Sequence, residues 1–119
     1  MKVAVIGVSN KPHRYSYQAV MLLRQKGHDA YPVHPRLKEV EGMRIYPSIN
    51  AIKDPIDTVT LYVGADTSDA LTDDILAKKP ARIIFNPGAE NPHFEKKARE
   101  QGITTVNACT LVMLKTGQF

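Results

Sequence analysis

Two basic side chains closely follow the first glycine of the chain. Gly7 ends the apolar run of residues 3–6, and Lys11 and Arg14 lie in the polar segment after it. Glycine permits a tight turn at the end of a buried strand, and the free N–H groups at the start of a following helix attract an anion. This spacing predicts a phosphate-binding turn, with a plain surface loop as the alternative.

A third basic residue, Arg36, follows the second apolar run in the sequence Val33-His34-Pro35-Arg36. An NAD site has an Asp or Glu near this point to bind the ribose hydroxyls, whereas the first acid here is Glu39. An arginine suits a phosphate on the ribose, because its forked donors match phosphate oxygens. NADP and coenzyme A both carry such a phosphate. A solvated surface charge is the alternative role of Arg36, and His34 is either a contact to base or ribose or a turn residue.

The glycine pattern separates this turn from that of a standard NAD site. The dinucleotide-binding fingerprint contains three glycines, whereas Gly7 is followed by Ser9 and by no glycine at the later positions. The pattern therefore argues against the close approach of a pyrophosphate that an NAD site requires.

Residues for covalent or metal chemistry are few. Cys109 is the single cysteine, and with His93 or Glu90 it would form a thiol with a base. It also opens an apolar segment, where cysteine is commonly a small buried hydrophobe; a reactive thiol, or a mixed disulfide with coenzyme A, is the alternative. One cysteine and four histidines provide no metal-ligand spacing, so neither a catalytic residue nor a metal is predicted.

Strands and helices that would position these residues alternate along the chain. The patterns predict strands at 3–6, 29–33, 44–46, 56–63, 82–85 and 103–106, a polar loop at 38–42, and helices at 17–26, 67–79, 92–101 and 109–115. The second helix is capped by Asp66 or Thr67, with an apolar stripe at Ala70, Leu71 and Ile75. Because the connections are too long for hairpins, we predict an α/β fold: a doubly wound, Rossmann-like parallel sheet in three layers, as a single domain over residues 1–119.

In such a sheet, ligands bind at the carboxyl ends of the strands, near the point where the strand order reverses. That rule selects the segments that follow the first, second, fourth and fifth predicted strands. These segments are residues 8–16, 34–37, 64–67 and 86–90. We expect them to form one binding surface.

The charge distribution agrees with an anion site in the first half of the chain. The net charge is +4, and nine of the 16 Lys and Arg residues but only three of the 12 acids fall in residues 1–53. Nucleic-acid binding is the competing explanation, but the cations are spread out and lack an aromatic-rich strand, so no nucleic acid partner is expected. No apolar run reaches the roughly 20 residues of a membrane span, and the N-terminal run is too short for a signal peptide. We therefore expect a cytoplasmic protein without a membrane partner.

Several motifs together resemble those of the small single-domain CoA-binding proteins, which are related to the CoA-binding domain of the succinyl-CoA synthetase alpha subunit. The resemblance covers essentially the whole chain. The motifs that carry it are VIGVS at 5–9 with the loop KPHRYS at 11–16, YPVHP at 31–35, LYV at 61–63, FNPGAEN at 85–91 and VNACTLV at 106–112. His34 departs from the pattern, because the family typically has an asparagine there.

The resemblance implies coenzyme A or an acyl-CoA as the ligand. It implies that the pyrophosphate end is held by Ser9, Asn10, Lys11 and Arg14, and that Arg36 approaches the 3′-phosphate. It further implies that the adenosine and pantetheine path is lined by Tyr62, Val63 and Thr67, and that the pantetheine arm passes Asn86 and Pro87. The carboxyl-edge rule and the resemblance together predict the full set of cofactor-binding residues: Gly7, Val8, Ser9, Asn10, Lys11, Arg14, Tyr15, Ser16, Val33, His34, Pro35, Arg36, Tyr62, Val63, Thr67, Asn86, Pro87 and Gly88.

Non-catalytic binding of CoA or an acyl-CoA is the function that this resemblance implies. The ligase activity of longer relatives is not expected, because those proteins carry their phosphorylated histidine and grasp domain elsewhere. Two alternatives remain: an NADP- or NAD-binding redox or sensor domain, and an interaction protein whose nucleotide site is vestigial. The apolar segment 109–115 and Phe119 serve either a homodimer contact or the core.

Overall fold

A five-stranded parallel sheet forms the centre of the protein in a computed structural model, which describes residues 1–119. The strands, in chain order, are β1 (Lys2–Ile6), β2 (Asp29–Val33), β3 (Glu39–Val40), β4 (Met43–Arg44), β5 (Thr58–Leu61), β6 (Arg82–Phe85) and β7 (Thr104–Asn107). The order across the sheet is β2-β1-β5-β6-β7, and every neighbouring pair is parallel. The order therefore reverses between β1 and β5.

Helices cover both faces of this sheet. They are α1 (Tyr15–Gln25), α2 (Ala65–Ala77), α3 (Pro92–Glu100) and α4 (Thr110–Lys115), with a single 3₁₀ turn at Ile49–Ala51. The helices α1 and α4 pack together against one face, and α2 and α3 pack together against the other. The predicted three-layer, doubly wound α/β fold is confirmed. None of the helices combines the length and apolar character needed to cross a membrane.

The first strand is buried on both sides, as its continuous apolar run predicts. Val3 and Val5 pack into the cluster beneath α1 and α4, whereas Ala4 and Ile6 pack into the cluster beneath α2 and α3. Successive side chains of a strand point to opposite faces, so a central parallel strand buried on both faces favours a continuous apolar run.

The start of α2 differs from the prediction. The helix begins at Ala65 with Gly64 as its N-cap, two or three residues earlier than a cap at Asp66 or Thr67 would place it. Ala70 of the predicted apolar stripe is exposed, whereas Ser68 and Thr72 are buried.

Hydroxyl groups that bond to the backbone explain this difference. Ser68 donates to the carbonyl of Ala65 at 3.3 Å, and Thr72 donates to the carbonyl of Ser68 at 2.9 Å. A small hydroxyl side chain that hydrogen-bonds within its own helix can pack on the buried face, because burying the hydroxyl then costs little free energy. A pattern based on hydrophobicity alone misses such residues.

Residues 38–46 also fold differently from the prediction. The strands β3 and β4 pair antiparallel in a small hairpin, where a polar loop and a strand at 44–46 are predicted. Glu41 and Gly42 form its two-residue turn, both with positive φ (48° and 77°), as the tightest hairpins require. The pairing segments are too short to show an alternating pattern. Tyr46 instead forms an isolated parallel bridge with Val33 at the end of β2.

Candidate functional site

A cavity of about 1060 Å³ opens at the carboxyl ends of β1, β2 and β5, where the strand order reverses. Its walls come from the connections that follow β1, β2, β4 and β5, together with one face of α2. The predicted residues that line it are Gly7, Val8, Ser9, Asn10, Lys11, Arg14, Tyr15, Ser16, Val33, His34, Pro35, Arg36, Tyr62, Val63 and Thr67. Segments separated by more than 50 positions in the chain thus meet at one edge of the sheet.

Gly7 makes the closest backbone approach in this cavity. Its φ is +86°, and a Cβ at this position would lie 2.6 Å from Cγ1 of Val63 and 3.1 Å from the carbonyl oxygen of Tyr62. The N–H groups of Gly7 and Val8 both donate to the carbonyl of Val33, at 3.0 and 3.2 Å. Only glycine fits this position, so the turn after β1 is held tightly between β2 and β5.

Side-chain hydroxyls shape the loop that follows. The N–H of Ser9 donates to Oγ of Ser16 at 2.9 Å, and the N–H of Lys11 donates to Oγ of Ser9 at 3.1 Å. The N–H of Arg14 donates to the carbonyl of Lys11 at 3.0 Å. These bonds fold the loop back onto the start of α1 and keep both exposed cations at the mouth of the cavity.

The positive end of α1 faces this cavity without a compensating charge. Arg14 is the N-cap residue, no side chain caps the helix, and the first turn contains no acid. Tyr15 and Ser16, the first two residues of the helix, line the cavity. Uncapped N–H groups together with the helix dipole attract an anion, and the Lys11 and Arg14 side chains strengthen that attraction.

His34 organises the turn after β2. Its Nδ1 accepts hydrogen bonds from the N–H groups of Arg36 and Leu37, both at 3.0 Å. Because both donors are backbone N–H groups, the ring is neutral with its proton on Nε2. Burial and then the charge of Arg36 lower the pKa of His34 below its usual 6.5. The structure thus gives His34 the turn role, and this turn places the exposed Arg36 on the cavity wall.

The opposite wall contains residues that the sequence patterns do not assign to a site. Pro47, Ser48 and Ile49 contribute from the segment after β4, and Leu71, Asp74 and Ile75 contribute from α2. Ile49 and Ile75 are buried in the core beneath α2, and the partly buried Leu71 packs against that core, so this wall is the edge of the core. The helical spacing of Thr67, Leu71 and Asp74 is the one signal in the sequence that could have indicated a shared face.

The remaining unpredicted lining residues are neighbours of predicted ones. Ile6 precedes Gly7, His13 precedes Arg14, and Leu37 follows Arg36. They extend the predicted segments without changing the character of the site.

Tyr62 lines the cavity, and its hydroxyl is buried beneath the site. This hydroxyl has no hydrogen-bond partner, although the hydroxyls of Thr60 and Thr110, which bond to each other at 2.8 Å, lie nearby. Burial raises the pKa of Tyr62 to about 12. The ring therefore serves the cavity as an uncharged apolar surface.

Asn86, Pro87 and Gly88 do not line the cavity. Asn86 is 2% exposed, and its Nδ2 donates to Oγ1 of Thr60 at 2.7 Å and to the carbonyl of Leu61 at 2.8 Å. Its Oδ1 accepts the N–H of Thr110 at 2.9 Å. These bonds join β5, the end of β6 and α4, so Asn86 supports the fold in this structure, while Pro87 and Gly88 are exposed beside it.

Cys109 precedes α4 as its N-cap residue and is partly buried outside the cavity lining. Glu90 accepts the N–H of Gly88 at 2.9 Å within its own turn. His93 is exposed on α3 and is not among the cavity residues. No three His, Cys, Asp or Glu side chains come together as a metal site would require. The reactivity of Cys109 stays a prediction.

One comparison with known proteins decides the family. The CoA binding domain family matches residues 1–115. The chain belongs to the CoA binding domain family. The resemblance found in its motifs is therefore confirmed, and the match includes every residue that lines the cavity.

Known proteins match this chain over different lengths. A crystal structure of an uncharacterized protein has 37% sequence identity and a TM-score of 0.89, and the match covers 99% of this chain and 97% of that chain. A hypothetical protein from Pyrococcus horikoshii OT3 has 31% identity and a TM-score of 0.91, covering 96% and 81% of the two chains. The alpha subunit of acetate–CoA ligase (ADP-forming) II from Pyrococcus furiosus is 36% identical over 62 residues, which are 51% of this chain and 14% of that subunit. The chain is thus similar to small proteins along its full length and to part of a ligase subunit.

Proposed function

We propose that this chain binds coenzyme A or an acyl-CoA in the cavity at the carboxyl edge of its sheet. The observation that carries the proposal is that fifteen of the eighteen predicted cofactor-binding residues line one cavity, in a chain that belongs to the CoA binding domain family. Each chemical group of CoA then matches a different part of the cavity.

The pyrophosphate would lie at the turn after β1. The uncapped start of α1 and the exposed side chains of Lys11 and Arg14 supply backbone donors and positive charge there. The loop bonds of Ser9 and Ser16 hold this shape before a ligand arrives. A preorganised loop loses less conformational entropy on binding, which favours affinity.

The 3′-phosphate of the ribose would lie at Arg36. The turn fixed by His34 positions the backbone of this arginine, and its guanidinium has no ion pair or hydrogen bond within the protein. A free guanidinium offers two parallel donors to phosphate oxygens. NADP also carries a ribose phosphate, but the family favours coenzyme A.

The apolar part of the cavity would accommodate the adenine ring and the start of the pantetheine arm. Ile49, Leu71 and Ile75 form an apolar wall on the α2 side, and Tyr62 and Val63 lie at the end of β5. A planar base buries its faces against such side chains, which is the main source of affinity in small-molecule sites.

We propose binding without a chemical step. Cys109 and His93, the residues with nucleophilic or basic character that the sequence suggests, do not line the cavity. The charged residues of the cavity are the cations Lys11, Arg14 and Arg36, which suit phosphates, and the single acid Asp74. Of the two histidines in the lining, His34 has its Nδ1 occupied by its turn, and His13 is exposed. This arrangement supports a module that holds CoA.

Thermal-shift measurements with CoA, acetyl-CoA, NADP and NAD test the proposal. A ligand that binds the native state raises the melting temperature by mass action, in proportion to the logarithm of its concentration over Kd. We expect CoA or acetyl-CoA to raise the melting temperature and NAD to leave it unchanged. No shift with either CoA species at millimolar concentration would contradict CoA binding, and a selective shift with NADP would favour the redox or sensor alternative.

A further inference from the structure

Asp74 is the only acidic residue among those that line the cavity. The other charged residues of the lining are the cations Lys11, Arg14 and Arg36. A carboxylate near a polyanionic ligand weakens its binding through like-charge repulsion, unless that carboxylate accepts a hydrogen bond from the ligand. The position of Asp74 in the cavity indicates which group of the ligand would donate that hydrogen bond.

Asp74 lies on the face of α2 that borders the cavity. Thr67, Leu71 and Asp74 follow one another at spacings of four and three residues and all line the cavity, as residues of one helix face do. With a rise of about 1.5 Å per residue, Asp74 is about 10 Å further along the helix axis than Thr67. Thr67 is near the carboxyl edge of the sheet where the phosphate-binding turn lies, so Asp74 borders the part of the cavity away from the phosphates.

The space between these two positions is apolar. Leu71 and Ile75 from α2 face Ile49 from the 3₁₀ turn, and the three side chains belong to the lining. Ile49 and Ile75 are almost completely buried, and Leu71 packs against them. An adenine ring resting on this apolar surface would present its edge, not its face, to a residue at the end of the apolar wall. The edge of adenine that carries the exocyclic amino group is a hydrogen-bond donor.

The carboxylate of Asp74 is free to accept such a bond. The three ion pairs of the protein involve Asp54, Asp73 and Glu95. Lys78, one turn further along α2, donates its ammonium group to the carbonyl of Ile52. This lysine fastens α2 to the segment after the 3₁₀ turn and does not neutralise Asp74.

We infer that Asp74 recognises the exocyclic amino group of adenine and thereby selects adenine nucleotides over nucleotides whose base carries an oxygen at that position. The inference rests on the proposed binding of CoA and adds the base specificity of the same site. In hypoxanthine, a carbonyl oxygen replaces the amino group, and its lone pairs repel a carboxylate that lies at this position. The N1–H donor that hypoxanthine gains lies on the neighbouring ring atom and does not replace the lost amino donor at this position. A hydrogen bond to a charged group contributes enough to make this a preference of about tenfold or more.

Calorimetric titration with adenosine 3′,5′-bisphosphate and inosine 3′,5′-bisphosphate tests the inference, because the two differ only in the base. We expect the wild-type protein to bind the adenosine compound about tenfold more tightly. In Asp74→Asn the preference should disappear, because the amide can donate to the inosine carbonyl as well as accept from adenine. The ratio of the two dissociation constants is the readout, since a merely structural role of Asp74 would change both constants together.

Asp73→Asn is the matched control. Asp73 is the neighbouring acid on α2, is absent from the cavity lining and pairs with Lys97 at 3.8 Å, so this variant should keep the tenfold preference. Equal affinities of the wild type for the two compounds, or an unchanged ratio in Asp74→Asn, would overturn the role of Asp74 while binding of CoA itself still stood. Failure of CoA and of both bisphosphates to bind would overturn the proposed function, and the inference with it.

Discussion

Nδ1 of His34 accepts a hydrogen bond from the backbone N–H of Arg36 at 3.0 Å. The ring thereby fixes the backbone of the residue that would bind the ribose phosphate. A second bond from Leu37 at the same distance completes the turn. A residue two positions before the arginine therefore determines where the backbone of Arg36 lies.

This relationship predicts opposite results for two substitutions of His34. The carbonyl of an asparagine can accept the same backbone N–H groups, so His34→Asn should keep stability and CoA affinity. His34→Ala should lower the free energy of unfolding by about 1 kcal/mol and weaken CoA binding. Urea unfolding and calorimetric titration measure both effects. An asparagine variant as impaired as the alanine variant would contradict the turn role.

The same bond predicts a dependence on pH. Because the folded-state pKa of His34 lies below 6.5, its contribution to stability is complete above about pH 6.5 and is lost as the pH falls through the folded-state value. CoA affinity should fall over the same acidic range, because protonation of Nδ1 breaks the turn. His34→Asn should be insensitive to pH there. A wild type and an asparagine variant with identical pH profiles would contradict the prediction.

Gly7→Ala tests the close approach in the phosphate-binding turn. The substitution incurs the cost of left-handed backbone, about 1–2 kcal/mol, and in addition brings Cβ to 2.6 Å from Cγ1 of Val63. Gly27→Ala is the matched control, because Gly27 has the same φ of +86° with no atom within 4 Å. We expect Gly7→Ala to be the less stable variant by about 1 kcal/mol or more. Equal melting temperatures of the two variants would show that the contact with Val63 is unimportant.

Asn86→Ala distinguishes a structural role from a ligand contact. It leaves the buried Thr110 N–H without an acceptor and removes the two bonds that Nδ2 donates to Thr60 and Leu61, so the free energy of unfolding should fall by about 3 kcal/mol. The CoA affinity of the folded protein should be unchanged. Asn50→Ala is the control, since Asn50 is exposed and its loss should cost at most about 0.5 kcal/mol. Retained stability with weakened CoA binding would restore the role in the pantetheine arm that the family resemblance implies.

Tyr62→Phe removes a buried hydroxyl that has no partner. Such a group costs free energy in the folded state, so the variant should be as stable as the wild type or more stable by up to about 1 kcal/mol. Tyr31→Phe is the comparison, because Tyr31 donates to Asp54 at 2.7 Å and should lose stability. Denaturant unfolding measures both. A clear loss of stability in Tyr62→Phe would mean that its hydroxyl has a partner in solution.

Most of the fold and part of the site follow from local patterns in the sequence. The buried run before Gly7 predicts β1, and Asn91 before Pro92 predicts the start of α3, where Asn91 accepts the N–H of Phe94 at 3.1 Å. Both signals lie within a few residues of the feature they determine. Lys11 and Arg14 are predicted from equally local signals, because the turn directly after β1 places them at the mouth of the cavity.

Features that depend on distant residues could not be predicted in this way. Ile49 and Leu71 meet across the cavity only because α2 packs beside the 3₁₀ turn. Asn86 lies at the correct edge of the sheet, but its amide bonds to β5 and α4 direct it into the core. The carboxyl-edge rule identifies which segments meet, and it does not determine which side chains face the ligand.

The most direct test of CoA binding in this cavity is calorimetric titration of CoA and dephospho-CoA into the wild type and Arg36→Ala. We expect the wild type to bind CoA more tightly than dephospho-CoA, and Arg36→Ala to lose about tenfold in CoA affinity with no change for dephospho-CoA. Arg24→Ala, an exposed change outside the cavity, should behave as the wild type. Absence of CoA binding to the wild type at millimolar concentration, or equal losses for both ligands in Arg36→Ala, would contradict this assignment.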